Sequence, residues 1–280
     1  MSESIGIIAG SGQFPRLVAQ DAKAAGYRVV VCAFHGFTDP GLESVADAYE
    51  TVYLGQFNKV IAYFRGQGVR RLCMAGAIDK PRALELRPDL RAAKIFFSLR
   101  GKGDDALLRA IMADLEAEGF TLMQAAELSG SLRCPEGFLT RRKPTPEETA
   151  DIEFGWPIAE TLGHFDIGQC LVVKQGIVAA VECMEGTDAT LRRGGELGGE
   201  GCVAIKRCKP KQDERVDLPS IGLNTIRLLI DRKFRCLAVD AEKTLFFDRA
   251  EALALADKHD FCIVALTDAL FERLRGDSAD

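Results

Sequence analysis

The chain has 280 residues, 47% of them hydrophobic and 28% charged, a globular balance that excludes a disordered or low-complexity protein. A net charge of −5 provides no field that would recruit nucleic acid, and no apolar run approaches the ~20 residues that span a bilayer. No basic segment followed by an apolar core follows Met1, so the sequence predicts a soluble cytoplasmic protein, and its length suits two domains.

The first 125 residues alternate strand and helix patterns. Residues 5–9 form an apolar run that ends in a Gly-rich loop, after which Pro15 can open a helix and Gly26 close it. Residues 28–34, with Val-Val-Val-Cys, predict a buried strand, 35–41 a loop and 51–54 a third strand. Asn58 can cap a helix that runs to Gly66 or Gly68, and 71–75 predicts a fourth strand. Asp104 can cap a helix whose apolar positions Leu107, Leu108, Ile111 and Leu115 keep helical spacing up to Gly119, and 120–125 predicts a further strand. This alternation implies a Rossmann-like parallel sheet over residues 1–133.

Residues 134–149, rich in Pro and basic side chains, predict a linker. The remainder, 150–280, predicts a C-terminal α/β domain of different topology that carries the metal and phosphate site. Its segments 169–175 and 177–183 flank Gly176 as a hairpin, and 194–201 reads as a Gly-rich loop. Then follow a strand at 202–208, helices at 221–233 and 249–259, and strands at 237–239 and 261–266. The nine Cys include no C-x-x-C pair and most lie in apolar runs, and the three His are unpaired, so no structural zinc site is predicted.

Four segments could carry chemistry. Gly10-Ser11-Gly12 before Pro15 is either a tight turn or a phosphate-binding loop at a helix N-terminus. It lacks the third Gly of a dinucleotide fingerprint, and the second strand ends in Phe34-His35-Gly36 with no acid to hold a ribose, which disfavours NAD. In 101–105, Asp104 can serve only as a cap; alternatively Lys102 reaches an anionic ligand with support from Asp105. In 182–188, Thr187 or Asp188 can cap a helix, or the strand-end carboxylates can hold a divalent metal. The run 206–217 holds five cations and three carboxylates. Charge runs are usually solvated faces, but Pro210 and Pro219 stiffen this one, and Asp217 sits between Val216 and Leu218. A carboxylate held among Lys and Arg there suits a metal–phosphate site.

Five motifs in order, at 6–15, 101–109, 166–169, 185–189 and 215–222, give the chain a resemblance over nearly its whole length to the LpxI-type UDP-2,3-diacylglucosamine pyrophosphatases. The resemblance implies two domains with the active site in the cleft between them. It implies a divalent-cation-dependent hydrolase of lipid A biosynthesis in a Gram-negative bacterium, cleaving its substrate to UMP and 2,3-diacylglucosamine 1-phosphate. The family's essential aspartate matches Asp217. On this reading Asp217 ligates Mg²⁺ or Mn²⁺, with Asp188 or Glu185 as the second candidate ligand. Lys209 and Arg215 contact phosphates, Gln169, Thr187 and Asp105 contact substrate, and Gly10, Ser11, Gly12, Asp79 and Lys102 meet the nucleotide side. Contact with the inner membrane is expected to be peripheral, and the oligomeric state is open, a homodimer included. The competing expectations are a Rossmann-type oxidoreductase and a non-catalytic nucleotide-sugar binding module.

Overall fold

The computed structural model describes residues 2–78, 86–98, 104–210, 213, 215 and 218–277, with backbone alone at 98, 104, 105 and 277. Asp79, Lys102 and Asp217 therefore lie outside the described residues, and Asp105 is placed only by its backbone. The described residues fall into two compact units. Unit 1 holds the residues up to Gly130 together with Asp213 and Arg215; unit 2 holds the rest.

Unit 1 is built on five parallel strands: β1 (Ser4–Ala9), β2 (Arg28–Phe34), β3 (Ala48–Val52), β4 (Arg71–Ala75) and β5 (Thr121–Leu122). Their order is β3-β2-β1-β4-β5. Both faces are covered, so β2 reads as a continuous apolar run with period-two sorting. Val29, Val31 and Ala33 pack on the side of helix α1 (Phe14–Ala24) with Ile5 and Ile7. Val30, Cys32 and Phe34 pack on the side of α2 (Phe57–Gly66) and α4 (Asp104–Ala117). Helix α2 is not capped by Asn58; Gln56 precedes it, and the Asn58 N–H donates instead to Asp89. In α4 the buried positions are Met112 and Leu115 rather than Leu107 and Leu108. Two further helices are α3 (Leu90–Ser98) and the short α5 (Ala125–Leu128).

Unit 2 is a mixed sheet in the order β6 (Gly137–Phe138), β13 (Cys262–Leu266), β11 (Cys236–Asp240), β9 (Val203–Lys206), β7 (Cys170–Lys174) and β8 (Ile177–Val181). Residues 134–149 belong to it. Cys134 is fully buried, β6 (Gly137–Phe138) pairs with β13 (Cys262–Leu266), and the Thr140 hydroxyl accepts from Ile263 N–H. Helix α6 (Pro146–His164) starts at a reciprocal cap: the Thr145 hydroxyl accepts from Glu148 N–H and the Glu148 carboxylate from Thr145 N–H. Arg142 grips the same carboxylate through two nitrogens at 2.8 and 2.7 Å. The strands β7 (Cys170–Lys174) and β8 (Ile177–Val181) form the expected hairpin. Its turn residues Gln175 and Gly176 both have φ > 0, and both donate their N–H groups to Asp151.

The Gly-rich stretch expected as a loop is the second half of helix α7 (Thr187–Gly198). A Cβ at Gly194 would lie 2.5–2.9 Å from three atoms of Val172, so the glycine lets the helix lie directly on β7. The unit continues with β9 (Val203–Lys206), β10 (Ser220–Ile221), α8 (Leu223–Asp231), β11 (Cys236–Asp240), β12 (Leu245–Phe246), α9 (Arg249–Lys258), β13 and α10 (Asp268–Asp277).

The cysteines are all unbridged, and only Cys183 is exposed. Burial pushes the thiols of Cys32, Cys73, Cys134 and Cys170 up to about 12. Brief treatment of the native protein with iodoacetamide near pH 8 should therefore alkylate Cys183 first. Peptide mass spectra showing Cys73 or Cys170 alkylated at the same rate would contradict this packing.

Candidate functional site

In unit 1 the connections run in opposite directions from β1 and β4. In open parallel sheets the crevice outside the carboxyl ends at such a point is where ligands bind. Here the loop after β1 is held to the loop after β4. Gly10 N–H donates to Ala75 O at 2.8 Å, Ser11 N–H to Ala77 O at 2.7 Å, and the Ser11 hydroxyl to the same Ala77 oxygen at 2.9 Å. A Cβ at Gly10 would overlap the Ala77 carbonyl, so Gly10 is required by contact between the two loops. Gly12 differs: its φ is +84°, it is exposed, and a Cβ there would meet nothing within 4 Å. Helix α1 follows with Pro15 in its first turn and no acid there. The loop after β2 is tied in by Thr38, whose hydroxyl donates to Ala9 O at 2.6 Å. Beside it the exposed His35 ring lies 4.4 Å from Tyr53, and the Arg87 guanidinium sits 3.7 Å over the Tyr53 ring. The Tyr53–Arg87 pair was not legible in the sequence, because Arg87 stands outside any strand or motif.

In unit 2 the parallel strands β9, β11 and β13 end at Lys206, Asp240 and Leu266. The antiparallel β7 starts at that same end, and β8 finishes there. Cys170 stands opposite Lys206 in the register, and Glu182 donates its N–H to Cys170 O. Cys170, Lys206 and Glu182 thus point to one face. Lys206 and Glu182 are only 6% and 8% exposed. The Lys206 ammonium donates to Ser220 O at 2.8 Å, and Glu182 Oε1 accepts from the Thr187 hydroxyl at 3.0 Å. Glu182 Oε2 and Gln169 Oε1 are buried with no hydrogen-bond partner among the described residues.

The other face of the same strand ends carries a paired network. Arg207 contacts Asp240 at 3.3 Å, Glu160 at 3.2 Å and the Trp156 carbonyl at 3.3 Å, and lies 4.3 Å over the Trp156 ring. Asp240 also accepts from Cys208 N–H at 2.6 Å. Burial raises the Asp240 carboxyl above its ordinary value against the opposing pull of Arg207. This network fixes the backbone where the charge run begins.

The structure places the remaining predicted residues as follows. Lys209 pairs with Asp166 at 2.6 Å. Glu185 pairs with Arg193 at 2.5 Å and accepts from Cys183 N–H, and Arg193 holds its carboxyl below the ordinary range. Asp188 is exposed, 3.8 Å from Arg192. Arg215 is ion-paired within unit 1, to Asp213 at 2.7 Å and to Glu116 of α4 at 2.9 Å. Of these, Thr187 touches Glu182, Gln169 directly precedes Cys170 and Lys209 is tied to Asp166, all within unit 2, whereas Gly10, Ser11, Gly12 and Arg215 belong to unit 1. No group of three or more His, Cys, Asp or Glu among the described residues converges as if on an ion. Glu185 and Asp188 are hard-oxygen donors of the type Mg²⁺ and Mn²⁺ favour, but each faces an arginine.

Residues 4–132 match the family model of the LpxI N-terminal domain, and residues 135–264 that of the LpxI C-terminal domain. The chain is 38% identical over 264 residues to the UDP-2,3-diacylglucosamine pyrophosphatase LpxI of Caulobacter vibrioides, covering 90% of this chain and 94% of that protein. Likeness to solved structures is slight. A glycinamide-RNase-transformylase T from Mycobacterium tuberculosis has a TM-score of 0.25 and 13% identity, covering 64% of this chain and 44% of its own. An N5-carboxyaminoimidazole synthetase from Staphylococcus aureus has a TM-score of 0.24 and 17% identity, covering 70% and 45%.

Proposed function

Because the chain belongs to the LpxI family, we propose that it hydrolyses the pyrophosphate bond of UDP-2,3-diacylglucosamine, releasing UMP and 2,3-diacylglucosamine 1-phosphate for lipid A synthesis in a Gram-negative cell. The observation that carries this reading is the 38% identity spread over 94% of the Caulobacter vibrioides protein. In the reaction, water adds to one phosphorus, the bridging P–O bond breaks, and a proton is released. A diphosphate carries charge on every terminal oxygen, so cationic side chains and fixed N–H donors are the residues the reaction needs. Lys206, whose ammonium donates to Ser220 O, stands at the carboxyl end of the second sheet and opens the charge run that leads to Asp217. The open Gly12 turn before α1 supplies backbone donors for the nucleotide side.

The reading includes a divalent cation, Mg²⁺ or Mn²⁺, held by Asp217; when bound it neutralises phosphoryl charge and lowers the pKa of a water. Glu185 and Asp188 could join it only by releasing Arg193 and Arg192. The reading also places the protein against the inner membrane only peripherally, drawn by its acylated substrate. Among the described residues no helix is long and apolar enough to cross a membrane.

The test is incubation with UDP-2,3-diacylglucosamine, with and without Mg²⁺ or Mn²⁺, and chromatography for UMP. UMP is expected with either metal and is expected to vanish with EDTA and return on metal addition. No UMP under any condition rejects the hydrolase; UMP release insensitive to EDTA rejects the metal.

A further inference from the structure

We propose that Glu182, together with Gln169, binds hydrogen-bond donors of the acylated hexosamine half of the substrate and so selects the sugar rather than the nucleotide. This rests on the pyrophosphatase reading above. Glu182 is more than nine-tenths buried, and one of its two carboxylate oxygens is spent on Thr187. The other, Oε2, has no partner among the described residues, and Gln169 Oε1 shares that state. A buried acceptor left unmatched costs about 1–3 kcal/mol, more when charged, so Glu182 Oε2 calls for a ligand that supplies a donor. Gln169, whose backbone carbonyl accepts from Arg207 N–H just before Cys170, makes the same demand from the adjoining loop.

The chemistry narrows the ligand. Both orphan atoms are acceptors, so they repel a phosphate. A divalent ion is disfavoured because the Lys206 ammonium points to the same face of the sheet as Glu182. Neutral O–H and N–H donors remain. Both halves of the substrate offer such groups, but only the sugar half also carries hydrocarbon. The two loops that bear the acceptors touch where Gly168 lies against the Glu182 backbone. They expose Phe165 (74%), Ile167 (43%) and Met184 (87%), apolar side chains beside orphaned acceptors. Orphaned acceptors rimmed by exposed hydrocarbon match an acylated sugar and not a uridine.

The experiment uses the full-length enzyme and the variants Glu182→Gln and Gln169→Met. Calorimetry measures the affinity for 2,3-diacylglucosamine 1-phosphate and, separately, for UMP; thermal melting is recorded for each protein. Glu182→Gln keeps an oxygen for Thr187 but sets an amide NH₂ against the ligand's donors. It is expected to weaken the sugar phosphate about tenfold or more while UMP binding and melting hold. Gln169→Met is expected to act in the same direction, more weakly, and it decides the matter if Glu182→Gln does not fold. Equal losses for both ligands, or no loss for either, would overturn the assignment. So would a raised metal requirement with sugar-phosphate affinity unchanged, which would make Glu182 an ion ligand. Absence of turnover in the unmodified enzyme refutes the hydrolase itself; normal turnover with unaltered sugar-phosphate affinity in both variants refutes only this inference.

Discussion

Asp217→Asn is expected to lower UMP release by about 10²-fold or more, with the melting temperature and the affinity for UMP nearly unchanged. The exchange preserves size and removes the charge. A carboxylate that holds a divalent ion against a diphosphate has no neutral substitute, because the amide oxygen is a far weaker ligand for a hard cation. Loss concentrated in kcat, with a larger Mn²⁺ concentration needed for half-maximal rate, is the expected signature. A variant that turns over at the original rate removes Asp217 from the chemistry, whatever becomes of the hydrolase reading.

The second large effect is on stability. Asp240→Ala should destabilise unit 2 by about 3–5 kcal/mol, since it leaves the buried Arg207 without its buried carboxylate partner and the Cys208 N–H without an acceptor. For a domain of this size that lowers the melting temperature by about 6–20 °C. Asp240→Asn should cost far less. Burial raises the carboxyl's pKa in the fold, so ionising it there is harder than in the unfolded chain. The sign follows: the neutral carboxyl favours the fold at low pH, and that contribution is lost as pH rises through the raised folded value. Asn carries no such loss. Scanning calorimetry should therefore show the melting difference, variant minus original, shifting in favour of Asp240→Asn between about pH 4 and pH 7. A difference that moves the other way would mean that Arg207 outweighs burial.

Strands announced themselves in the sequence where both faces are buried. The Val-rich run marks β2 from Arg28 to Phe34; the β7–β8 hairpin, whose β8 is a half-exposed edge, is marked instead by Gly176 at its turn. The apolar pattern at 51–54 begins three residues inside the edge strand β3, because Ala48–Val52 alternates and is only half buried. Helix α3 gave no pattern, since Leu90 and Phe97 face outward among its apolar positions. Helices α6 and α7 were hidden by residues that normally break helices. Pro157 and Gly155 stand inside α6, and Gly194, Gly195 and Gly198 inside α7. Their reason is tertiary: the α7 glycines meet Val172, Phe234 and Cys202, which no local propensity encodes.

The candidate site divided in the same way. Gly10-Ser11-Gly12 stood out by composition, yet only the contact with Ala77 separates the packing role of Gly10 from the open turn at Gly12. Glu182 stands in the same carboxylate-rich segment as Glu185 and Asp188, and spacing alone favours the latter two as strand-end metal donors. What distinguishes Glu182 is burial and an unmatched oxygen, and neither leaves a mark in sequence spacing.

The Arg215–Glu116 ion pair bears on how the polypeptide can be dissected. A recombinant fragment stopping at Gly130 would contain Glu116 but not the guanidinium that reaches it from 99 positions downstream. Such a half-protein is thus incomplete by its own contacts, although its five strands are contiguous in the gene. Expression trials that split the chain at that junction test a truncated lobe, and a soluble first half is better sought by grafting the 213–215 stretch back through a short flexible tether.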